Sequence, residues 1–194
     1  MTSLIEAYEE RAVAIFDIPG AFLHADIEED VIMVLEGPLA DMMVQFDPSL
    51  YSNYITTNLK GKPLLHVKMC RALYGMLISA LLFYRKLEKY LEEYGFGIKL
   101  YEPCVANKMV NGSQMTVVWH VDDLKVSHKS EFEITRFADY LISIYVGLLS
   151  SRGKVHDYLG MNLDFSDKGN IKVSMIPYLL NVLKEFPEEL GASA

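Results

Sequence analysis

The chain has 194 residues, of which 51% are hydrophobic and 23% are charged, so it can fold around a sizeable core. It has no apolar run of the roughly 18 residues that span a membrane, and its start lacks the pattern of a signal peptide. The net charge of −8 counts against a free-standing nucleic-acid binder, because phosphate neutralisation supplies most non-specific affinity. Two cysteines without metal-site spacing fit a reduced protein, and we expect an intracellular, cytoplasmic chain without a membrane partner.

The first third of the chain alternates short apolar runs with turn signals. A short helix is predicted over 3–11, and the segment 19–30 is typical of a turn followed by a short polar helix. The pattern over 36–62 is weak, and we interpret it as a surface excursion. Strands are predicted at 13–17, 31–34 and 64–69.

A long amphipathic helix is predicted from Gly75 to Tyr94. Its apolar residues recur at three- and four-residue spacing, with charged residues between them. The members of this stripe are Ala80, Phe83, Leu87, Leu91 and Tyr94. Gly95 fits the left-handed residue that ends a helix, and Phe96 is placed for the apolar contact that accompanies such an end.

The next three β-prone runs predict two consecutive hairpins. Val105–Val110 and Gln114–His120 flank Asn111-Gly112, the strongest short hairpin signal, because both turn residues tolerate positive φ. A third run, Leu124–Ser127, follows Asp122-Asp123. The acidic pair is therefore predicted at the tip of the second hairpin.

The last third is predicted to hold a helix, two strands and a final helix. Ser130 and Glu133 match a capping box at the start of a helix over 131–146. The remaining elements are two strands at 155–165 and 170–175, joined by a turn at 167–170, and a helix at 177–185 that stops before Pro187. The order of elements predicts an α+β fold, an antiparallel sheet with helices packed on one face.

Two acidic clusters carry the chemistry. Asp17 ends one predicted strand and Asp122-Asp123 lies at a hairpin tip, about a hundred residues away. If folding brings them together, they form a carboxylate site for Mg²⁺, which prefers oxygen ligands, and a pair of such ions lowers the barrier to phosphoryl transfer. The alternative is that these aspartates are ordinary turn residues, where Asp is common.

Four strings in order resemble the reverse transcriptase of copia-type retrotransposons. They are Phe16–Asp26 (Phe-Asp-Ile-Pro-Gly-Ala-Phe-Leu-His-Ala-Asp), Ala72–Met76 (Ala-Leu-Tyr-Gly-Met), His120–Asp123 (His-Val-Asp-Asp) and Tyr158–Met161 (Tyr-Leu-Gly-Met). The resemblance covers roughly 3–186 and implies a polymerase palm-like sheet with incomplete fingers and thumb. It implies a palm-type domain over 1–186 and a C-terminal tail over 187–194.

The resemblance also assigns the metal-binding residues. Asp17 and Asp122 correspond to the family's ligands of both Mg²⁺ ions, with Mn²⁺ as a possible substitute, and Asp123 corresponds to a third, less directly bound carboxylate. The implied partners are an RNA template, a DNA primer and deoxynucleoside triphosphates. The implied reaction is attack of the primer 3′-hydroxyl on the α-phosphate, which releases pyrophosphate.

Further positions correspond to substrate and primer contacts of the family. Phe22 matches the aromatic residue that packs under the incoming sugar and excludes a 2′-hydroxyl, and Gly75 matches the start of a helix beside the templating base pair. The implied substrate-binding residues are Ile18, Phe22, Tyr74 and Gly75. The implied primer-grip residues are Tyr158, Leu159 and Gly160.

The chain also departs from the family pattern. His120 stands where the family usually has Tyr, and Met76–Leu81 replaces a helix start that usually carries basic residues. The upstream fingers, the complete thumb and the ribonuclease H domain are expected to be missing, which offers one account of the negative charge. Because loss of phosphate contacts lowers affinity steeply, weak or no polymerase activity is expected of this chain alone.

Two rival interpretations stay open at this stage. The first is a catalytically dead palm that serves as a structural or binding piece, and the second is a palm-like nucleotide cyclase. The Gly20-Ala21-Phe22 and Ala72–Gly75 strings argue against the cyclase. A particle of the transposon is the location that the resemblance implies, and the oligomeric state is not predicted.

Overall fold

The computed structural model describes residues 2–185, which form two compact units. The first unit comprises the chain up to Ala21 and from Tyr84 onward, and the second comprises Phe22–Phe83. No helix among the described residues is long and apolar enough to cross a membrane. The predicted tail over 187–194, including Pro187, lies outside the described residues.

The described residues form helices and strands along their whole length. The helices are α1 (Thr2–Tyr8), α2 (Pro38–Phe46), α3 (Pro48–Tyr51), α4 (Ser79–Glu93), α5 (Glu131–Ile144) and α6 (Ile176–Glu185), with 3₁₀ turns at Ala21–His24 and Ser52–Tyr54. The strands are β1 (Ala12–Asp17), β2 (Ile32–Glu36), β3 (Thr56–Thr57), β4 (Pro63–Lys68), β5 (Gly97–Lys99), β6 (Glu102–Val110), β7 (Ser113–His120), β8 (Asp123–His128), β9 (Leu149–Gly153), β10 (Val155–Tyr158), β11 (Met161–Asp164) and β12 (Lys172–Ser174).

The first unit is built on a six-stranded antiparallel sheet in the order β5-β6-β7-β8-β1-β9. The predicted turn at Asn111-Gly112 joins β6 to β7 with φ values of 49° and 75°, as the residue types require. The α+β class with an antiparallel sheet is confirmed. Two edge strands, β5 and β9, were not predicted.

Helices cover both faces of this sheet. Tyr84 of α4 packs against Trp119, with ring centroids 6.1 Å apart, on the face that Trp119 shares with its cross-strand partner Leu124. The next residue of β8, Lys125, points to the opposite face, where it contacts Glu6 of α1. Helix α1 therefore departs from the predicted packing on one face.

A smaller sheet, β10-β11-β12, also belongs to the first unit. The single strand predicted over 155–165 is wrong, since the segment is a hairpin that turns at Leu159 and Gly160, which have φ values of 52° and 75°. Apolar residues in and next to this sheet pack with α1 and β1 in one hydrophobic core. The members of this core are Ala7, Val13, Ile15, Tyr158, Leu163 and Phe165.

The second unit contains the sheet β2-β4-β3 and the helices α2 and α3. The predicted excursion over 36–62 is therefore partly helical. Helix α2 begins with Pro38 directly after Gly37, the position where proline's fixed φ and missing N–H are tolerated. The predicted start of the long helix at Gly75 is wrong, because Gly75 lies in a turn with φ of 92° and α4 begins at Ser79.

The ends of two helices test the predicted caps. After α4, Gly95 adopts φ of 96° and the Phe96 N–H donates to the Leu91 carbonyl at 2.9 Å, so the predicted end is confirmed. Before α5, Ser130 makes no side-chain capping bond. The predicted capping box is wrong, since the Glu133 carboxylate instead accepts a hydrogen bond from the Asn111 side chain at 3.0 Å.

Candidate active site

The acidic hairpin is a tight turn between β7 and β8. His120 pairs with Asp123 across the hairpin, which leaves Val121 and Asp122 as a two-residue turn. Val121 has φ of 56°, a left-handed value that is unfavourable for a β-branched residue. The turn therefore holds backbone strain beside the acidic pair, as functional sites often do.

The second acidic cluster lies directly beside this turn. Asp17 is the last residue of β1 and is the cross-strand partner of Asp123. The next residue, Ile18, donates its N–H to the Asp122 carbonyl at 3.1 Å. The structure thus brings together the carboxylate-bearing positions 17, 122 and 123, which the sequence separates by about a hundred residues.

The electrostatics of this cluster are those of crowded negative charges. Burial raises the pKa of Asp17, and the nearby Asp122 raises it further. Burial also raises the pKa of Asp123, with added contributions from Asp122 and Asp17 and a smaller opposing one from His120. Among the described residues, none of the three carboxylates has an ion-pair partner within 4.0 Å.

The donor set suits a hard divalent cation, since it consists of carboxylates whose mutual repulsion a cation relieves. In residues 2–185, however, no three or more His, Cys, Asp or Glu side chains are already grouped closely enough to hold a metal ion. The backbone pairing therefore brings the three positions together, but the carboxylate side chains are not yet grouped closely enough to bind an ion.

The predicted primer-grip residues lie at the tip of the hairpin between β10 and β11. The Tyr158 hydroxyl donates to the Val118 carbonyl at 3.4 Å, and burial, followed by the nearby Asp123, raises the Tyr158 pKa. Leu159 and Gly160 form the turn itself, and a side chain at Gly160 would contact the Tyr178 ring at 3.2 Å. Tyr158 is thus within electrostatic reach of the acidic cluster.

The remaining predicted residues, except Ile18, belong to the second unit. Phe22 packs against Tyr74 with ring centroids 4.4 Å apart and against Phe83 at 6.3 Å. Tyr74 is 58% exposed. A Cβ atom at Gly75 would meet nothing within 4 Å, so this glycine is required by its positive φ rather than by close packing within the protein.

Sequence reasoning missed two charged residues beside the site. Lys125, two positions after Asp123, and Glu6 of α1 form an ion pair in which each side chain is 2% exposed. The one available signal was a lysine inside the predicted strand Leu124–Ser127, which is uncommon in a core strand because a buried lysine needs a partner.

The antiparallel sheet thus presents three carboxylates at a hairpin turn and at the adjoining end of a neighbouring strand, the type of oxygen donor that hard divalent cations prefer. A family model described as "Reverse transcriptase (RNA-dependent DNA polymerase)" matches residues 1–191. The chain belongs to this family, in its copia type, and the resemblance inferred from the four motif strings is confirmed.

Solved structures that match the chain include telomerases from two Candida species. Apo telomerase from Candida tropicalis has 10% identity, a TM-score of 0.48 and coverage of 88% of this chain and 35% of that chain. Telomerase from Candida albicans in complex with a telomeric RNA fragment has 10% identity, a TM-score of 0.45 and coverage of 95% and 38%. This chain spans just over a third of their length. None of the curated proteins shows significant similarity to the chain.

Proposed function

We propose that this reverse transcriptase domain carries the two-metal nucleotidyl-transfer site of RNA-templated DNA synthesis, with Asp17, Asp122 and Asp123 as the metal ligands and with weak activity for this chain alone. The observation that carries the proposal is the pairing of Asp17 with Asp123 at the turn that holds Asp122. Mg²⁺ is the expected ion, and Mn²⁺ is an alternative with the same preference for oxygen.

The carboxylates contribute by their charge and their placement. Bound cations would stabilise the attacking and leaving oxygens while the primer 3′-hydroxyl displaces pyrophosphate from the α-phosphate. The crowding of Asp17, Asp122 and Asp123 keeps a high negative potential at the strand ends, which favours the uptake of divalent ions. The short turn at Val121 limits the freedom of Asp122, so that less entropy is lost when ligands close around an ion.

Substrate contacts follow from the residues matched by the family motifs. We assign Phe22 to exclusion of a 2′-hydroxyl, supported by its fixed packing against Tyr74 at 4.4 Å. Ile18 is fully buried and its N–H bonds to the Asp122 carbonyl, so we assign it to support of the acidic turn rather than to direct contact with substrate. Gly75 allows close approach of a template base, because nothing within the protein fills the space of its absent side chain.

The primer end is assigned to the hairpin tip at Tyr158, Leu159 and Gly160. The proposed partners are an RNA template, a DNA primer and deoxynucleoside triphosphates. We propose an intracellular location in the cytoplasmic transposon particle.

Primer extension on an RNA template, with Mg²⁺ or Mn²⁺, tests the proposal. Asp122→Asn should lower incorporation by more than about 100-fold, the upper range for losing a residue that merely supports a ligand. Asp139→Asn, an exposed carboxylate on α5, is the matched control and should leave incorporation unchanged.

Each alternative has its own outcome in this experiment. Incorporation that Asp122→Asn does not reduce refutes the assigned site. No incorporation with either metal favours a palm that only binds or supports other components. Product formed from a nucleoside triphosphate without template indicates a cyclase.

A further inference from the structure

The register between β1 and β8 decides whether the carboxylates meet. Asp17 lies opposite Asp123 only in the observed pairing, and a two-residue slip would place Asp17 opposite Lys125 or Val121 instead. Such a slip keeps every side chain on its original face, because side chains alternate with a period of two.

The apolar pattern of these strands does not specify that register. In β1 the four residues Val13–Phe16 are all buried, and in β8 the five residues Leu124–His128 are all buried. Strands that are buried on both faces carry no contrast between a core face and a solvent face, and this contrast is what normally fixes pairing. Another feature must set the register.

The buried ion pair between Glu6 and Lys125 provides such a feature. The Lys125 ammonium donates to the Glu6 carboxylate at 2.7 Å, to the Ser3 hydroxyl at 2.9 Å and to the Thr2 hydroxyl at 3.2 Å. All of these acceptors belong to α1. A lysine has three N–H donors, so its hydrogen-bonding capacity is filled by one helix.

The same glutamate also makes a backbone hydrogen bond next to the start of β1. The Arg11 N–H donates to the Glu6 carbonyl at 2.9 Å, and Arg11 directly precedes the first residue of β1. The Arg11 guanidinium donates to the Thr116 hydroxyl of β7 at 3.1 Å. Glu6 therefore connects β8 through its side chain and β1 through its backbone, and a slip of β1 along β8 has to break one of these connections.

Stability alone does not account for this arrangement. A buried ion pair is often no more stabilising than an apolar pair of the same volume, because desolvation offsets the attraction. Loss of one partner, by contrast, leaves an uncompensated buried charge. A buried pair is thus better suited to select one arrangement than to strengthen the fold.

We propose that Glu6 and Lys125 are positioning residues that set the register of β1 against β8, and thereby the meeting of Asp17 with Asp123. This inference rests on the proposed function, since it concerns the same metal site. Neither residue touches the reacting atoms.

The test separates register from stability. The double variant Glu6→Leu/Lys125→Met replaces the pair with apolar side chains and should keep a urea midpoint close to that of the unmodified chain. Its Mn²⁺ affinity, measured by electron paramagnetic resonance, should fall by about 10-fold or more, as for other residues that orient ligands. The Mn²⁺ bound by the Asp122→Asn variant is subtracted as background. This subtraction excludes ions that are attracted only by the net negative charge of the chain.

The matched control is Lys129→Met, which removes an exposed ion pair to Glu9 between the same two chain segments. It should leave Mn²⁺ affinity unchanged. If the double variant does not fold, the exchanged pair Glu6→Lys/Lys125→Glu takes its place. The exchange retains the link, so an affinity within about 3-fold of the unmodified value supports the inference, and a 10-fold loss in the folded protein overturns it.

A covalent lock supplies the decisive readout. Val13 and Ser127 are cross-strand partners in the observed register, at a position where facing Cβ atoms are close. A Val13→Cys/Ser127→Cys disulfide in the double variant, with Cys70 and Cys104 replaced by serine, should restore Mn²⁺ affinity when oxidised and lose it again when reduced.

Two results overturn the inference. One is an unchanged Mn²⁺ affinity in the folded double variant, and the other is a loss that the disulfide does not restore. An unmodified chain without Mn²⁺ binding above the Asp122→Asn background refutes the proposed metal site itself, and the inference with it.

Discussion

Replacing Asp17 with asparagine should stabilise the protein in the absence of metal. Asp17 and Asp123 face each other across two antiparallel strands, and burial and neighbouring carboxylates raise the pKa of both. Asparagine keeps the shape of the side chain and removes one of the like charges. The free energy of unfolding should therefore increase, although most substitutions at a strand end lower it or leave it unchanged.

The magnitude follows from the pairing. Since the Ile18 N–H bonds to the Asp122 carbonyl, the neighbouring pair of Asp17 and Asp123 occupies a non-hydrogen-bonded position, where side chains are closest. Charges about 6 Å apart repel by about 0.7 kcal/mol at a dielectric constant of about 80, and by about 2.8 kcal/mol at about 20. Salt and partial exposure reduce this range to about 0.5–1 kcal/mol, which is comparable in size to the energies of other cross-strand pairs in sheets.

Urea unfolding in EDTA and in Mg²⁺ measures the effect. In EDTA, the free energy of unfolding of Asp17→Asn should be about 0.5–1 kcal/mol higher than that of the unmodified chain. Mg²⁺ at about ten times its dissociation constant adds about 1.4 kcal/mol to a chain that binds it, so the order should reverse with metal. Asp139→Asn serves as the control for the loss of an exposed charge. A less stable Asp17→Asn in EDTA, or equal stabilisation of both proteins by Mg²⁺, would refute the reasoning.

Three further predictions concern pH, the strained turn and the sugar contact. Because the pKa of Asp17 and Asp123 lies above the ordinary 3.8, the folded state binds these protons more tightly than the unfolded state. Their contribution to metal-free stability should therefore fall as pH rises through the raised values, and Asp17→Asn should flatten this dependence in urea titrations. Val121→Gly should raise the free energy of unfolding by about 1 kcal/mol, since glycine adopts φ of 56° without strain; a decrease would contradict the assigned strain. Phe22→Ala should increase ribonucleotide incorporation relative to deoxyribonucleotide incorporation by about 10-fold or more in primer extension, and an unchanged ratio would remove Phe22 from sugar selection.

Local signals in the sequence predict the elements that frame the site. Asn111-Gly112 predicts its hairpin because few other residue pairs adopt two consecutive positive φ values. Gly95 predicts the end of α4 for the same reason, since it alone closes the last turn in the left-handed region. In both cases the cause lies within a few residues of the effect, so no knowledge of the remaining fold is needed.

Elements that depend on residues far away in the chain are harder to predict from the sequence. Strand β9 (Leu149–Gly153) contains Ser150-Ser151-Arg152 and has no β-prone pattern, but it completes the edge of the sheet by pairing with β1. The capping box at Ser130 fails because the carboxylate of Glu133 is taken by Asn111, a residue of another hairpin. Tertiary contacts outweigh local preference in each case.

The candidate site shows the same division between local and distant causes. The two acidic clusters are visible because each occurs at a strand end, where a charge has no apolar explanation. Their meeting depends on a register that neither strand encodes by its own pattern, since β1 and β8 are buried on both faces. Lys125 places a charge in the middle of the buried strand β8, and Glu6 of α1 carries the opposite charge more than a hundred positions earlier. A lysine within a predicted core strand is therefore a sequence signal for a long-range partner, and here the partner belongs to the helix that leads into the strand of Asp17.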